Sequence, residues 1–288
     1  MSELDKQFNK TARERIIALE DLLQTDVILI FGPIAPYLVR PFRTFIENLR
    51  ADENAKERIS IVLNTPGGSA ETVEKLVEIV RYHYGEVWFI IPDEAMSAGT
   101  IFALSGDAIY MDYTSSLGPI DPQVHNGKEW VPALGYLDRV NQMIDKSQAG
   151  TLTDAELLVL QSLDLAMLSR CEQAKNLTIT LLKKWLCEYK FKDWEVHESN
   201  HDKLNQPVND EEKDQRAEQI AEILSNNQKW HSHGRKIGIK KLKEVLKLKI
   251  EDYSTNHNLR TKILSYSEFM LDFMIQQNLP YLLHSRCQ

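Results

Sequence analysis

Ile59-Ser-Ile-Val-Leu-Asn-Thr-Pro-Gly-Gly-Ser69 is the stretch on which the fold turns. Its first five residues are a short apolar run that Asn64-Thr-Pro-Gly-Gly68 breaks. Such a run, bounded by turn residues, reads as a strand covered on both faces. Ala70 to Tyr84 follows as a helix, with Val73, Leu76, Val77 and Val80 on one face. The same unit recurs on both sides. Upstream, Asp26-Val-Ile-Leu-Ile-Phe31 ends at Gly32-Pro33. Residues 35–50 then space Leu38, Phe42, Phe45, Ile46 and Leu49 as a helix does. Downstream, Val87-Trp-Phe-Ile-Ile91 stops at Pro92, Ser97 to Ser105 reads as a short helix, and Asp107-Ala-Ile-Tyr-Met111 as a fourth strand. Strands alternating with helices at this spacing predict an α/β fold with parallel strands and flanking helices.

Outside this region the chain reads as helix. Ile16, Ile17, Leu19, Leu22 and Leu23 sit among charges in an N-terminal amphipathic helix, assigned to residues 1–25. From Leu134 to about Ile250 the pattern is mostly helical. Thr153 to Tyr189 is a long Gly- and Pro-free stretch that starts on a Thr153–Glu156 capping box. Residues 190–215 read as a polar loop and about 214–228 as a helix. Lys236 to Lys249 reads as the solvated face of a helix whose inner side is Leu242, Val245, Leu246 and Leu248. Residues 251–288 are set apart as a helical C-terminal tail containing Lys262 to Gln277, and residues 26–250 as one domain.

The 288 residues carry 43% apolar and 26% charged side chains, as a soluble globular chain does. Lys and Arg number 34 against 42 Asp and Glu, a net charge of −8. That balance argues against a nucleic-acid or anionic-membrane binder. No apolar run reaches the ~18–20 residues of a membrane span, and the charged N-terminus lacks the apolar core of a signal peptide. Three sparse cysteines, Cys171, Cys187 and Cys287, make no disulfide framework and suit a reduced, cytoplasmic compartment.

Two strand-end turns carry the chemistry. In Asn64-Thr-Pro-Gly-Gly-Ser69 the glycines leave backbone N–H groups uncovered at a helix N-terminus, where an anion or transient oxyanion binds. Taken alone, this is ordinary turn chemistry. In Ala95-Met-Ser-Ala-Gly-Thr100, Ser97 occupies a helix N-cap position. Its small neighbours leave room for a substrate carbonyl, although Gly-x-Ser-x-Gly is absent. In a parallel sheet both turns lie at one edge, where ligands bind. The N–H groups of Gly68 and Ala98 then form an oxyanion hole for a nucleophilic Ser97.

The ordered set Asn64-Thr-Pro-Gly-Gly-Ser69, Met96-Ser-Ala-Gly-Thr100, Asp107-Ala-Ile-Tyr-Met111 and Ser116-Leu-Gly-Pro-Ile-Asp-Pro-Gln123 resembles the Clp protease proteolytic subunit and signal peptide peptidase A superfamily. With Trp230-His-Ser-His-Gly-Arg235, it is most similar to the serine dehydrogenase proteinase branch. The resemblance covers about residues 26–125 well and 126–250 loosely. It implies a ClpP/crotonase-like fold over 26–250, peptide hydrolysis by a serine nucleophile, and a homo-oligomer acting on peptide or unfolded protein. By resemblance, Ser97 matches the nucleophile and the N–H groups of Gly68 and Ala98 match the oxyanion hole.

A serine hydroxyl needs a base to take its proton. Asp121 stands where the Clp branch has its histidine, and His125 lies four residues on. The signal peptide peptidase branch uses a lysine further along. Lys146 falls near that position, with Lys128 and Lys175 as alternatives. Most lysines are solvated charges, so a lysine serves as base only where desolvation or neighbours favour its neutral form. Were no base present, the chain would be a noncatalytic oligomeric scaffold or adaptor on the same fold. A crotonase-like acyl-CoA enzyme would share the oxyanion hole but does not need Ser97.

His197-Glu-Ser-Asn-His201 matches the H-E-x-x-H zinc pattern, but its polar flanks and Pro207 suit a loop, so no metal is expected. Trp230 reads as an anchor for the connector that holds His231, His233 and Arg235. No Gly-x-Gly-x-x-Gly turn marks a nucleotide cofactor, and none is expected.

Overall fold

The computed structural model describes residues 3–125, 130–197, 203–230, 232 and 234–287; at Leu4, Asp5, Gln123, His125, Trp130, Val131, Pro132, Asn227 and Gln228 it describes the backbone alone. The elements run α1 (Glu3–Leu23), β1 (Asp26–Phe31), α2 (Val39–Ala51), β2 (Arg58–Asn64), α3 (Ala70–His83), β3 (Glu86–Ile91), β4 (Glu94–Ala95), α4 (Ala98–Leu104), β5 (Ala108–Met111) and β6 (Ser116–Leu117). A hairpin of β7 (Gln123–His125) and β8 (Trp130–Pro132) leads to α5 (Ala133–Gln148), α6 (Asp154–Gln161) and α7 (Leu165–Trp185). Then come α8 (Asp210–Leu224), α9 (Asn227–Trp230), β9 (Ile237–Gly238), α10 (Ile239–Glu244), β10 (Glu251–Asp252), α11 (His257–Gln276) and β11 (Leu282–Ser285).

The main sheet has the order β10-β5-β3-β2-β1-β11. Its strands are parallel except β11, which pairs antiparallel with β1 from Ile28–Ser285 to Phe31–Leu282. Alternation along the strands divides the core. Ile28, Ile30, Ile59, Ile61, Leu63, Val87, Phe89 and Ile91 face α2, α3, α4, α7 and α8. Val27, Leu29, Phe31, Val62 and Ile90 face α1 and α11. Each fully buried aliphatic side chain here removes enough area from water to stabilise by about 1.5–3 kcal/mol. This is the three-layer α/β arrangement that the apolar runs predict.

The helical regions differ from the sequence reading in instructive ways. The Thr153–Glu156 capping box forms with both its bonds, but the helix it starts stops at Gln161. Asp164 caps a new helix, accepting from the N–H groups of Ala166 and Met167. An aspartate gains more at an N-cap than in a helix interior. The polar loop ends earlier than its composition suggests. Asn209 forms a second capping box with Glu212 and starts α8 at Asp210. The Lys236–Lys249 stretch yields β9 and the short α10, which ends at Glu244 ahead of Lys247 and its left-handed backbone (φ 47°). The tail is not helix alone: β10 and β11 add a strand to each edge of the main sheet, pairings that helical periodicity cannot reveal.

Candidate functional site

Both strand-end turns lie at the carboxyl edge of the sheet and are joined by backbone. Thr65 N–H donates to Glu94 O at 2.9 Å and Met96 N–H to Thr65 O at 3.0 Å. The glycine turn is then fixed from its far side. Ile34 N–H donates to Gly67 O, Ser69 N–H donates to Ile34 O, and Gly67 N–H donates to Thr65 Oγ1 at 3.0 Å. These bonds use every neighbouring amide and leave the N–H of Gly68 without a partner among the described residues. Ser69 caps α3 through Thr72 N–H. Gly67 and Gly68 both have positive φ, 105° and 150°. A Cβ on Gly67 would stand 2.8 Å from Ser97 Cβ, and one on Gly68 would collide with the Ile34 carbonyl. Glycine is thus required for the two turns to approach.

Met96 to Gly99 forms a tight turn closed by Gly99 N–H donating to Met96 O at 2.8 Å. Ser97 holds φ 51° and ψ −115°. Those angles belong to the first central position of a type II′ turn, a place normally taken by glycine. A side chain held there is strained by about 1–3 kcal/mol. The strain turns Ser97 away from the capping geometry its position suggests. Its hydroxyl makes no cap hydrogen bond, and among the described residues Oγ has no partner. Of the first amides of α4, those of Gly99, Thr100 and Ile101 are donated within the turn, and that of Ala98 is free among the described residues. Ser97 is 7% exposed, so little of it meets solvent.

Sequence reading missed the residues that lock this arrangement. Thr100 Oγ1 lies 2.8 Å from Ala95 O and 2.9 Å from Gly118 O, and accepts from Gly118 N–H at 3.0 Å. Gly99 lies so close to Thr65 that a Cβ would overlap its methyl group. Gly118 packs on Met96, where a Cβ would meet the Met96 side chain at 2.7 Å. β6 pairs parallel with β4, and β9 pairs antiparallel with β6. Thr65, Thr100 and Gly118 lie inside the motifs. Ile34 lies outside them and carried no signal.

The expected bases fall in different places. Asp121 is 1% exposed, and its Oδ1 accepts from Leu134 N–H at the start of α5. A carboxylate at a helix N-terminus is electrostatically satisfied there. His125 pairs by its backbone with Trp130; its side chain lies outside the described residues, as does Lys128. Lys146, in the last turn of α5, is half-exposed and bonds Glu156 Oε1 at 2.6 Å. The Lys146 ammonium and the Thr153 N–H and hydroxyl hold the Glu156 carboxyl down to about 2. No described contact joins Lys146 to Ser97. Structure therefore gathers Gly68, Ser97 and Ala98 and ties Lys146 to another partner.

His197 lies in an irregular segment rather than a helix. Its backbone pairs with Gln206, and its ring is 3.3 Å from Glu212. The rest of the H-E-x-x-H stretch, Glu198 to His201, lies outside the described residues. Trp230 is buried and donates Nε1–H to Ile223 O, the anchor expected of it; His231 and His233 also lie outside. Among the described residues no helix is long and apolar enough to cross a membrane.

The model of the ClpP-like SDH-type serine proteinase family matches residues 43–200, more than half of the chain. The uncharacterized protein MJ0137 of Methanocaldococcus jannaschii is 32% identical over 136 residues, 47% of this chain and 43% of that protein. The ATP-dependent Clp protease proteolytic subunit of Streptococcus thermophilus is 33% identical over 85 residues, 30% of this chain and 43% of that subunit. The chain thus spans less than half the length of these curated relatives. Among solved structures, the 1510-N membrane-bound stomatin-specific protease aligns with a TM-score of 0.46 at 16% identity, covering 82% of each chain. ClpP1 from Listeria monocytogenes aligns with a TM-score of 0.45 at 12% identity, covering 83% of this chain and 98% of that one.

Proposed function

The chain belongs to the family of ClpP-like SDH-type serine proteinases, and on that premise we propose that it hydrolyses peptide bonds through Ser97. Ser97 Oγ attacks the substrate carbonyl carbon, and the N–H groups of Gly68 and Ala98 receive the oxyanion. Two such donors, preset before the charge develops, are a major source of transition-state stabilisation; one is worth about 2.7–4 kcal/mol. The general base is a lysine or histidine brought beside the hydroxyl. Collapse of the tetrahedral intermediate breaks the C–N bond and leaves an acyl-enzyme, which water hydrolyses. The substrate is a peptide or unfolded protein, and the enzyme works as a homo-oligomer.

The observation that carries this reading is the strained Ser97 turn pressed against Gly67, with the amides of Gly68 and Ala98 left undonated. A second reading, a noncatalytic oligomeric scaffold, draws on the absence of a described partner for Ser97 Oγ. Labelling with a fluorophosphonate probe separates the two. Wild type is expected to label at Ser97 alone, and Ser97→Ala to stay unlabelled while folded. A folded wild type that does not label would favour the scaffold, and equal labelling of Ser97→Ala would end the serine reading.

A further inference from the structure

The span from Arg235 to Lys249 holds seven cations and one acid, Glu244, so it carries +6 on a chain whose net charge is −8. Leu242, Leu246 and Leu248 are buried beneath it, while Arg235, Lys240, Lys243 and Lys247 are exposed. Acids meet the span near its two ends. Lys236 Nζ is 2.9 Å from Glu94 Oε2, and Lys249 Nζ is 4.0 Å from Glu251 Oε1. Between them, Lys240, Lys241, Lys243 and Lys247 make no side-chain hydrogen bond or ion pair among the described residues, and neither does Arg235. Arg216 adds a further cation: it donates to Leu246 O at 2.6 Å and meets no carboxylate among the described residues. By contrast, Lys6, Lys75, Lys146, Lys183, Lys192 and Lys203 each lie within 3.2 Å of a carboxylate. Like charges gathered on one ridge repel, and a partner of opposite sign relieves them.

Strand register places one end of this span beside Ser97. β4, β6 and β9 form one small sheet, with Ala95 opposite Leu117 and Leu117 opposite Ile237. β6 runs parallel to β4, so Gly118 leaves Leu117 at the end where Met96 and Ser97 leave Ala95. Gly118 N–H donates to Ala95 O at 3.3 Å, and Gly118 packs on Met96. β9 runs antiparallel, so Lys236 and Arg235, which precede Ile237, lie at that same end. The ion pair of Lys236 with Glu94 carries a side chain from β9 across β6 to β4, which fixes this end of the span against the wall of the site. From Gly238 the chain turns away through α10 to β10 at the edge of the main sheet. The cations therefore form a track that starts at the Ser97 turn and leads outward.

We propose that this track binds an acidic segment of the polypeptide substrate, with Arg235 receiving a carboxylate about three residues from the bond that Ser97 cleaves. This rests on the reading of Ser97 as nucleophile. β9 lies two strand spacings from β4, ~10 Å, and an extended peptide covers that distance in about three residues. A carboxylate there meets a guanidinium able to hold it through two parallel N–H bonds. Further acids of the same segment continue along Lys240, Lys243 and Lys247. The polyanion that fits is a short acidic peptide rather than a nucleic acid. With +6 in the span, the rest of the chain carries −14, a field that repels a long polyanion and leaves only this track open to negative charge.

Binding is tested with fluorescein-labelled hexaglutamate and hexaglutamine, read by anisotropy on Ser97→Ala, which cannot cleave them. Hexaglutamate should bind and hexaglutamine should not. Changing Lys240, Lys243 and Lys247 together to Gln should weaken hexaglutamate about tenfold, and added salt should weaken it further. Turnover is tested with two fluorogenic peptides that differ only in Glu or Gln at the third residue on each side of the scissile bond. In wild type the Glu peptide should have a KM about tenfold lower, with kcat within about threefold. Arg235→Gln should bring the two KM values together, and Arg235→Lys, which keeps the charge, should restore part of the difference. A merely structural Arg235 would move both peptides alike. Equal KM values in wild type, with Ser97→Ala dead, would overturn the proposal and leave the serine reading intact. So would hexaglutamate binding that ignores the lysine changes. Oligothymidylate bound more tightly than hexaglutamate, and lost on the same changes, would reassign the track to nucleic acid and overturn the proposal. A wild type that neither cleaves nor labels would overturn the serine reading and, with it, the track as a substrate site.

Discussion

Replacing Ser97 by glycine should make the protein more stable, although it removes the proposed nucleophile. The relevant comparison is with Ser97→Ala, which also lacks the hydroxyl but keeps Cβ. In both variants Oγ is gone, and Oγ has no described partner to lose. The difference is therefore backbone strain set against chain entropy. Holding a β-carbon at φ 51°, ψ −115° costs about 1–3 kcal/mol, and glycine adopts those angles freely. Against this, glycine adds unfolded-chain freedom worth about 0.4–1 kcal/mol. Ser97→Gly should thus exceed Ser97→Ala by about 1 kcal/mol. With an unfolding entropy of about 2.1 cal/mol/K per residue, 288 residues give about 0.6 kcal/mol/K, so the difference in Tm is about 1–3 °C. Urea and thermal unfolding of the two variants at one protein concentration would measure it, since self-association shifts apparent stability. A Ser97→Gly protein no more stable than Ser97→Ala would show that the turn stores no strain, and the argument that the fold forces Ser97 into position would fail.

Two further outcomes follow from particular contacts. Gly67→Ala places a Cβ 2.7 Å from Met96 O and 2.8 Å from Ser97 Cβ at a positive φ; it should destabilise by more than about 2 kcal/mol and abolish probe labelling of whatever fraction still folds. His284, bonded to Tyr266 at 2.7 Å, is pushed by burial down to about 4. Because its folded value lies below the unfolded ~6.5, its neutral burial is fully favourable above pH ~6.5. Stability is then lost as pH falls toward 4, at up to about 1.4 kcal/mol per pH unit. Urea midpoints from pH 7 to 4.5 should fall less steeply in His284→Gln than in wild type; parallel profiles would refute the assignment.

Much of the fold was legible because the strands announce themselves. Asp26–Phe31, Arg58–Asn64 and Glu86–Ile91 are apolar runs covered on both faces, and turn residues punctuate them. The two site turns were legible for the same reason, since glycine and proline mark where the backbone departs from strand or helix. What escaped was non-local. Leu282–Ser285 pairs with β1 across more than 250 residues of chain, and nothing in its four residues reports that partner. Asp164 breaks what periodicity presents as one helix, because a local cap competes with propensity on nearly equal terms.

Taken alone, the sequence determined the alternating α/β architecture and the paired turns on which Gly68, Ser97 and Ala98 stand, because local sterics and hydrophobic period act over a few residues. Only the tertiary structure decided which amides stay undonated among the described residues, the positive φ at Ser97, and which carboxylate takes Lys146. Each of those depends on chains distant in sequence meeting in space. Ile34 reaches over to Gly68, Thr65 bridges to Ala95, and Lys146 is taken by Glu156.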